Sequence, residues 1–378
     1  STVAVVLVHG NLPFVLQHAA LPTVLLGTLF FLSRVGGIVG AQAGPSLLRA
    51  MPPEWACAGA EGVNAAATAL LYWAVVASRP LPLCVAILIK GVTIGLIPNL
   101  RVAWLKALPT PDIGRRVMIV TRVIVQSSYG LVGVLLLLGL AQKWVMELVL
   151  LDLVNSLLAI PIFLSLKDLG VASIEPPPDE GTAFRFLFEK SNRHLLSAEV
   201  CLAVAMGGTN IFLVRAGEGL FKAVGGYGLA LVAYAAAYLF AGAVVQSADN
   251  RGRRIRARIE PAAPWLLVLC LALMTFPSAG IAVTVTVFAA LFVAYPTFLL
   301  TLESLWFEVS SKSNISRTFA SRLLLLSIVS ALGEVAYPTL SLRAELVMRT
   351  VAALGAALLF VRFSSLRKSL LPSKTALP

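Results

Sequence analysis

A chain of 378 residues that is 58% hydrophobic and only 13% charged lies far from the roughly 25% charge of an ordinary soluble domain. It carries more apolar surface than a water-soluble fold of this length can hide. Its net charge of +12 gathers at the ends of apolar stretches, with no basic patch interleaved with aromatic residues. That excludes a nucleic-acid surface and points to membrane topology and contact with anionic headgroups.

A bilayer core of about 30 Å takes about 20 apolar residues of helix to cross, and runs of that length pair their backbone amides internally only as helices. Taken in chain order, the apolar runs predict twelve spans, at roughly 1–13, 21–48, 54–77, 81–105, 116–141, 144–166, 194–214, 226–247, 262–279, 281–305, 318–340 and 345–363. The first is short for a crossing and has no basic residues ahead of it, so it is expected to be a span that has lost its opening residues rather than a signal peptide. The longest polar interval, Lys167 to Arg193, holds Glu175-Pro176-Pro177-Pro178-Asp179-Glu180-Gly181, which resists helix and cannot sit in lipid. The expected organisation is an N-terminal six-helix bundle over 1–167, a linker over 168–193, a second six-helix bundle over 194–366 and a tail over 367–378.

Positive charge fixes the expected orientation. Arg49; Arg101, Lys106, Arg115 and Arg116; Lys167, Arg185, Lys190 and Arg193; Arg251, Arg253, Arg254, Arg256 and Arg258; Lys312, Arg317 and Arg322; and Arg362, Arg367, Lys368 and Lys374 all follow even-numbered spans or stand at their ends. The opposite loops hold only Arg79, Lys143, Arg215, Lys222, Arg343 and Arg349. Positive loops stay cytoplasmic, so linker and both termini are expected inside, in a bacterial inner membrane. Alternation over this many loops also supports the span count, because one missed helix would reverse the bias downstream.

Six spans, a cytoplasmic linker and six more resemble the major facilitator superfamily. After span 8, Asp249-Asn250-Arg251-Gly252-Arg253-Arg254 is similar to that superfamily's cytoplasmic loop signature, in which Asp249 faces a helix end or an arginine, Gly252 permits a tight turn, and Arg253 and Arg254 meet headgroups. Gly226-Tyr227-Gly228-Leu229 running into Gly242, and Pro109-Thr110-Pro111-Asp112-Ile113-Gly114-Arg115-Arg116 before span 5, look like the branch of enterobactin and macrolide exporters. The equivalent loop after span 2, Gly44-Pro45-Ser46-Leu47-Leu48-Arg49, lacks the acidic residue and the Gly-Arg-Arg. The resemblance implies an all-α membrane protein of twelve transmembrane helices in two six-helix bundles. It also implies a cavity lined by spans 1, 2, 4, 5, 7, 8, 10 and 11, with spans 3, 6, 9 and 12 facing lipid.

Charges inside spans cost about 2.5–3.5 kcal/mol each on insertion scales, so each asks for a partner or a wet cavity. Arg34 and Lys90 fall near the middle of spans 2 and 4 and read as two cations facing one cavity, where they bind substrate or take part in coupling. The other reading is an internal ion pair with Asp152 of span 6, or a snorkelling lysine. Glu334 stacks with Ser330 and Ser327 on one face of span 11, as a coupling carboxylate or as a group that meets water. Glu199 and Asn210 share a face of span 7, as substrate contacts or as a structural cap. Arg122 and Arg322 open spans 5 and 11 and read as positive-inside anchors. His9 and Asp152 are candidates for a proton relay, although a lone histidine at a membrane interface, as His9 is, is more often an interfacial polar group. Tyr234 and Tyr238, four apart on span 8, suit a ring-bearing substrate or helix packing. Tyr295-Pro296 is expected to break span 10.

Cys57, Cys84, Cys201 and Cys270 sit inside apolar stretches without metal spacing and read as packing residues. No P-loop, zinc site or serine nucleophile is present, so an enzyme, and one using ATP in particular, is not expected. The expected function is secondary active transport by alternating access: proton-coupled export, as an antiporter, of a small amphiphilic or anionic molecule of siderophore or drug type. No cofactor or metal is expected; the partners are the small-molecule substrate, protons and the bilayer, and the chain is expected to be a monomer. Uptake of an organic anion, or a membrane scaffold or sensor with a transporter fold, are the alternatives.

Overall fold

The computed structural model describes residues 15–16, 19–21, 25–107, 111–140, 143–165, 186–190, 192–207, 209, 212–213, 226–246, 250–276, 281–310 and 315–370. Among these, no strand occurs and eleven long α-helices follow one another: α1 (Leu25–Ala50), α2 (Pro53–Val76), α3 (Pro80–Ala107), α4 (Pro111–Leu137), α5 (Val145–Ser165), α6 (Arg193–Met206), α7 (Gly226–Gln246), α8 (Asn250–Met274), α9 (Ile281–Val309), α10 (Ile315–Ala336) and α11 (Leu342–Leu370), with a short 3-10 turn at Tyr337–Thr339. They correspond to predicted spans 2 to 12; span 1 lies outside the described residues, as does most of the linker.

Local sequence explains several boundaries. Helices α2, α3 and α4 each begin on a proline, whose fixed φ suits the first helical turn and whose missing N–H is not needed there. Helix α4 ends where Gly139 takes φ 67°, so that Gly139 N–H bonds to Leu136 O and Leu140 N–H to Leu135 O. That left-handed stop is one glycine reaches at no steric cost.

Helix α8 starts twelve residues before the predicted span. Gly252, Arg253 and Arg254 are therefore helical, not a tight turn: the basic stretch continues the helix as a charged extension beyond the apolar run. Pro296 does not break span 10 either. Helix α9 continues through it from Ile281 to Val309, and the Thr297 hydroxyl beside the proline donates to Val293 O at 2.7 Å.

The helices form two like bundles. In the first, α1 packs on α3, α2 on α3, and α2 on α5; in the second, α7 packs on α9, α8 on α9, and α8 on α11. Adding six to each helix number converts one pattern into the other. The bundles meet along two principal seams, α1 against α10 and α4 against α7, which the same operation exchanges.

The α1–α3 contact is built on glycine. A Cβ on Gly40 would lie 1.8 Å from Val92 O, and one on Gly95 would lie 1.9 Å from Gly37 O, so backbone rests directly on backbone. Gly133 faces Gly228 O and Leu231 in the α4–α7 seam, and Gly242 faces Val123.

Large exposed apolar residues run in stripes along α2, α4, α5, α8 and α11. Examples are Leu150, Leu151, Val154, Leu157, Leu158 and Ile162 on α5, and Val347, Val351, Leu354, Leu358 and Val361 on α11. On α2 the exposed Trp55 and Trp73 stand eighteen residues apart, about 27 Å along a helix, which matches aromatic anchors at two interfaces of a bilayer core. Six of the described helices are long and apolar enough to cross a membrane. The chain is an all-α, multi-pass membrane protein.

Candidate functional site

Lys90 of α3 is fully buried and turns toward α2 and α5. Its ammonium pairs with Asp152 Oδ2 and donates to Thr68 Oγ1 at 2.7 Å and to Asn64 Oδ1 at 3.2 Å. The Asn64 amide donates to Ser156 Oγ at 2.7 Å, while the Thr68 hydroxyl lies 2.9 Å from Asp152 Oδ2 and the Thr93 hydroxyl 3.1 Å from Asn64 Oδ1. Asp152 Oδ1 has no partner among the described residues. Every side chain in this network is shut off from solvent, so the ion pair is offset by hydrogen bonds rather than by water. The spacing that builds it is helical. Asn64 and Thr68 are one turn apart on α2, Lys90 and Thr93 on α3, and Asp152 and Ser156 on α5.

The second bundle carries its own buried pair. Arg322 of α10 forks onto Glu199 of α6, Nε donating to Oε2 at 2.9 Å and Nη2 pairing with Oε1. Its guanidinium lies 5.0 Å from the Trp306 ring centroid and 4.5 Å from that of Phe319. A bidentate pair clasped by rings is a geometry that arginine, not lysine, supplies. Arg322 is thus no interfacial anchor: at 3% exposure it is part of the interior.

Two features lie between the bundles. At the α1–α10 seam a recess of about 250 Å³ is lined by Phe31, Arg34, Val35, Ile38, Ile328, Ala331 and Leu332. Its walls are apolar and Arg34 is the one charged residue among them. Further along the same seam Gln42 Nε2 donates to Ala320 O at 3.0 Å.

Where α4, α7 and α9 meet, Tyr234 and Tyr238 form an aromatic cluster, their centroids 4.9 Å apart and edge-on. Tyr129 and Phe292 lie edge-on to Tyr234 at 6.0 and 5.3 Å. The Tyr234 hydroxyl reaches Gln126 Oε1 across the seam at 2.9 Å, and Arg122 of α4 pairs with Glu303 of α9 at 3.5 Å.

The structure therefore separates the two cations expected to face one cavity. Lys90 turns inward to Asp152, because α2 and α5 supply three neutral polar groups (Asn64, Thr68 and Ser156) and a carboxylate on that side. Arg34 faces α10. Tyr234 and Tyr238 are brought together but packed, at 6% and 0% exposure. Glu334 lies in α10 and Gly252, Arg253 and Arg254 in α8, with their side chains outside the described residues, as are His9, Asn210 and Asp249.

Sequence reasoning passed over Asn64, Thr68, Glu303 and Glu345 and placed Arg349 in a loop. Glu345 and Arg349 form a fully buried i,i+4 pair on α11, and that spacing, in the opening turns of an apolar run, was the available signal. A further pair, Arg101 and Glu61 at 3.5 Å, joins α3 to α2 beside Phe163.

Solved structures similar to this chain are transporters. The major facilitator proton:xylose symporter XylE, bound to 6-bromo-6-deoxy-D-glucose, matches at 12% identity with a TM-score of 0.66, covering 98% of this chain and 95% of that one. A bacterial homologue of the iron transporter ferroportin, in an outward-facing state, matches at 14% and 0.68 over 96% and 98%. The human organic anion transporter MFSD10 matches at 15% and 0.64 over 96% and 97%. No protein-family model and no curated protein sequence matches. The chain has the major facilitator fold.

Proposed function

We propose that this chain is a secondary transporter that works by alternating access, the two bundles rocking about a path between them. The observation that carries this reading is the pair of like bundles, joined along two seams related by one operation, in the fold shared with the symporters and transporters above. The apolar walls of the α1–α10 recess suit the hydrocarbon or ring of an amphiphilic substrate, and Arg34, whose side chain borders it, is the cation assigned to that substrate's anionic group. The aromatic cluster at α4, α7 and α9 is the second contact surface, with Tyr234 and Tyr238 offering ring faces when the seam opens. Asp152 is the coupling carboxylate: its Oδ1 has the lone pairs to take a proton, and neutralising it would release the Lys90 ammonium from its partner. Glu199 and Arg322 tie α6 to α10 so that they move as one. Linker and carboxyl tail lie on the cytoplasmic side of a bacterial inner membrane, and export is the direction the loop resemblance favours, with organic-anion uptake the other outcome the assay resolves.

Flux in proteoliposomes, with a panel of fluorescent anionic amphiphiles and a proton ionophore, tests the proposal. Accumulation is expected to collapse with the ionophore. Arg34→Ala is expected to weaken half-saturation about tenfold to a hundredfold, the equivalent of one charge-assisted hydrogen bond of about 1.5–3 kcal/mol. Unchanged half-saturation in that variant would remove Arg34 from the site, and a panel without any flux would remove the transporter reading.

A further inference from the structure

Helix α6 stops inside the second bundle. Its 14 residues span about 21 Å, and Gly207 follows in an extended conformation, φ −58° and ψ 144°, before helical conformation resumes at Thr209, Phe212 and Leu213. A Cβ on Gly207 would lie 2.3 Å from Ala203 O and 3.3 Å from Ser330 Cα, so no side chain fits at the break. A helix end of this kind leaves carbonyls without intrahelical partners and with partial negative charge. Away from water something must meet them.

Arg349 of α11 meets them. Its Nη1 donates to Ala205 O at 2.7 Å and to Gly207 O at 3.1 Å, and its Nε donates to Glu345 Oε1 at 2.9 Å. The guanidinium carbon lies 4.0 Å from the Tyr337 ring centroid and 4.9 Å from that of Phe212, while the Tyr337 hydroxyl itself donates to Val204 O. Arg349 and Glu345 are both fully buried.

We propose that the end of α6 is a guanidinium-binding site, built from two helix-terminal carbonyls, one carboxylate and two ring faces, and that Arg349 fills it in cis as the ligand that holds α6 to α11. The planar fork matters. A point-charge ammonium cannot reach both carbonyls and the carboxylate while stacking between rings. Arg349 is then a positioning residue for the space between the bundles. Phe212, under its guanidinium, stacks on Phe288 at 6.3 Å, Phe288 meets Phe292 at 4.5 Å, and Phe292 meets Tyr234. The inference does not depend on transport and is read without a flux assay.

Cys201 of α6 is a native reporter, since its Sγ would lie 3.4 Å from a Cβ on Gly355 of α11. In purified protein with Cys57, Cys84 and Cys270 replaced by alanine, maleimide labelling of Cys201 reports whether α6 stays on α11. Arg349→Ala is expected to label about tenfold faster or more. Millimolar guanidinium chloride is expected to restore slow labelling, whereas equal concentrations of sodium or methylammonium chloride leave it fast. Arg349→Lys, which keeps the charge but not the fork, is expected to fold and label fast even should Arg349→Ala fail to fold. Fast labelling of Arg349→Ala unaffected by guanidinium, equal protection by sodium, or wild-type labelling of Arg349→Lys would each overturn the proposal.

Discussion

Asp152→Ala is expected to be among the most destabilising single substitutions in the chain, at about 3–5 kcal/mol. It strands Lys90 at a position with no solvent access, leaving the ammonium only the neutral oxygens of Thr68 and Asn64. Those oxygens solvate the charge without neutralising it. Lysine can also shed its proton, which limits the cost from above. Lys90→Met combined with Asp152→Ala removes both charges and is expected to recover most of the loss, since a buried pair replaced by apolar groups of similar volume is often neutral. Thermal unfolding of the wild type, both single variants and the double variant in one detergent measures the coupling directly. A double variant that melts no higher than Asp152→Ala would mean that the charges act separately and that the polar network does not depend on their pairing.

The second large effect lies along α1 and α3. Gly40→Ala, Gly95→Ala and Gly36→Ala each drive a methyl group to 1.8, 1.9 and 2.2 Å from a backbone carbonyl oxygen of the facing helix. Backbone cannot step aside as a flexible side chain does, so each is expected to cost about 1–3 kcal/mol or more. Gly37→Ala is the internal control, because its nearest neighbour would be 3.8 Å away, and alanine's better helix propensity, worth up to about 1 kcal/mol, should leave it neutral or slightly stabilising. Thermal midpoints and the monodisperse fraction on size exclusion report the contrast. Equal behaviour of Gly37→Ala and Gly40→Ala would mean that the close approach of the two helices is not what holds them together.

The segmentation into spans was legible because the solvent dictates it: lipid tolerates only helices, and helices of a fixed length, so apolar runs transcribe directly into elements. Exposed apolar stripes lie on α2, α5, α8 and α11, the helices of spans 3, 6, 9 and 12, but also along α4 of span 5, so exposure alone does not separate bracing helices from cavity helices. Depth and azimuth were harder to read. Arg322 and Arg349 were counted with loop cations because a charge near the end of an apolar run carries no mark of whether it faces headgroups or carbonyls. Gly252 looked like a turn, yet nothing in the basic stretch stops a helix, and α8 begins there. Pro296 looked like a break, but a proline removes only one backbone bond from a helix, and α9 continues through it. The Lys90–Asp152 pair was available as an alternative, and Asn64 and Thr68 at i and i+4 were the sign that α2 turns a polar face inward.

Carbonyl contacts between α1 and α3 also have a mechanical meaning. Two rods touching backbone to backbone at Gly36, Gly40, Gly91 and Gly95 have no compliant side-chain layer between them, so neither slides or tilts by an ångström without carrying the other. Arg34 rides on the first rod and Lys90 on the second. Any displacement of the guanidinium at the seam is therefore delivered, undamped, to the ammonium and the carboxylate locked beneath it.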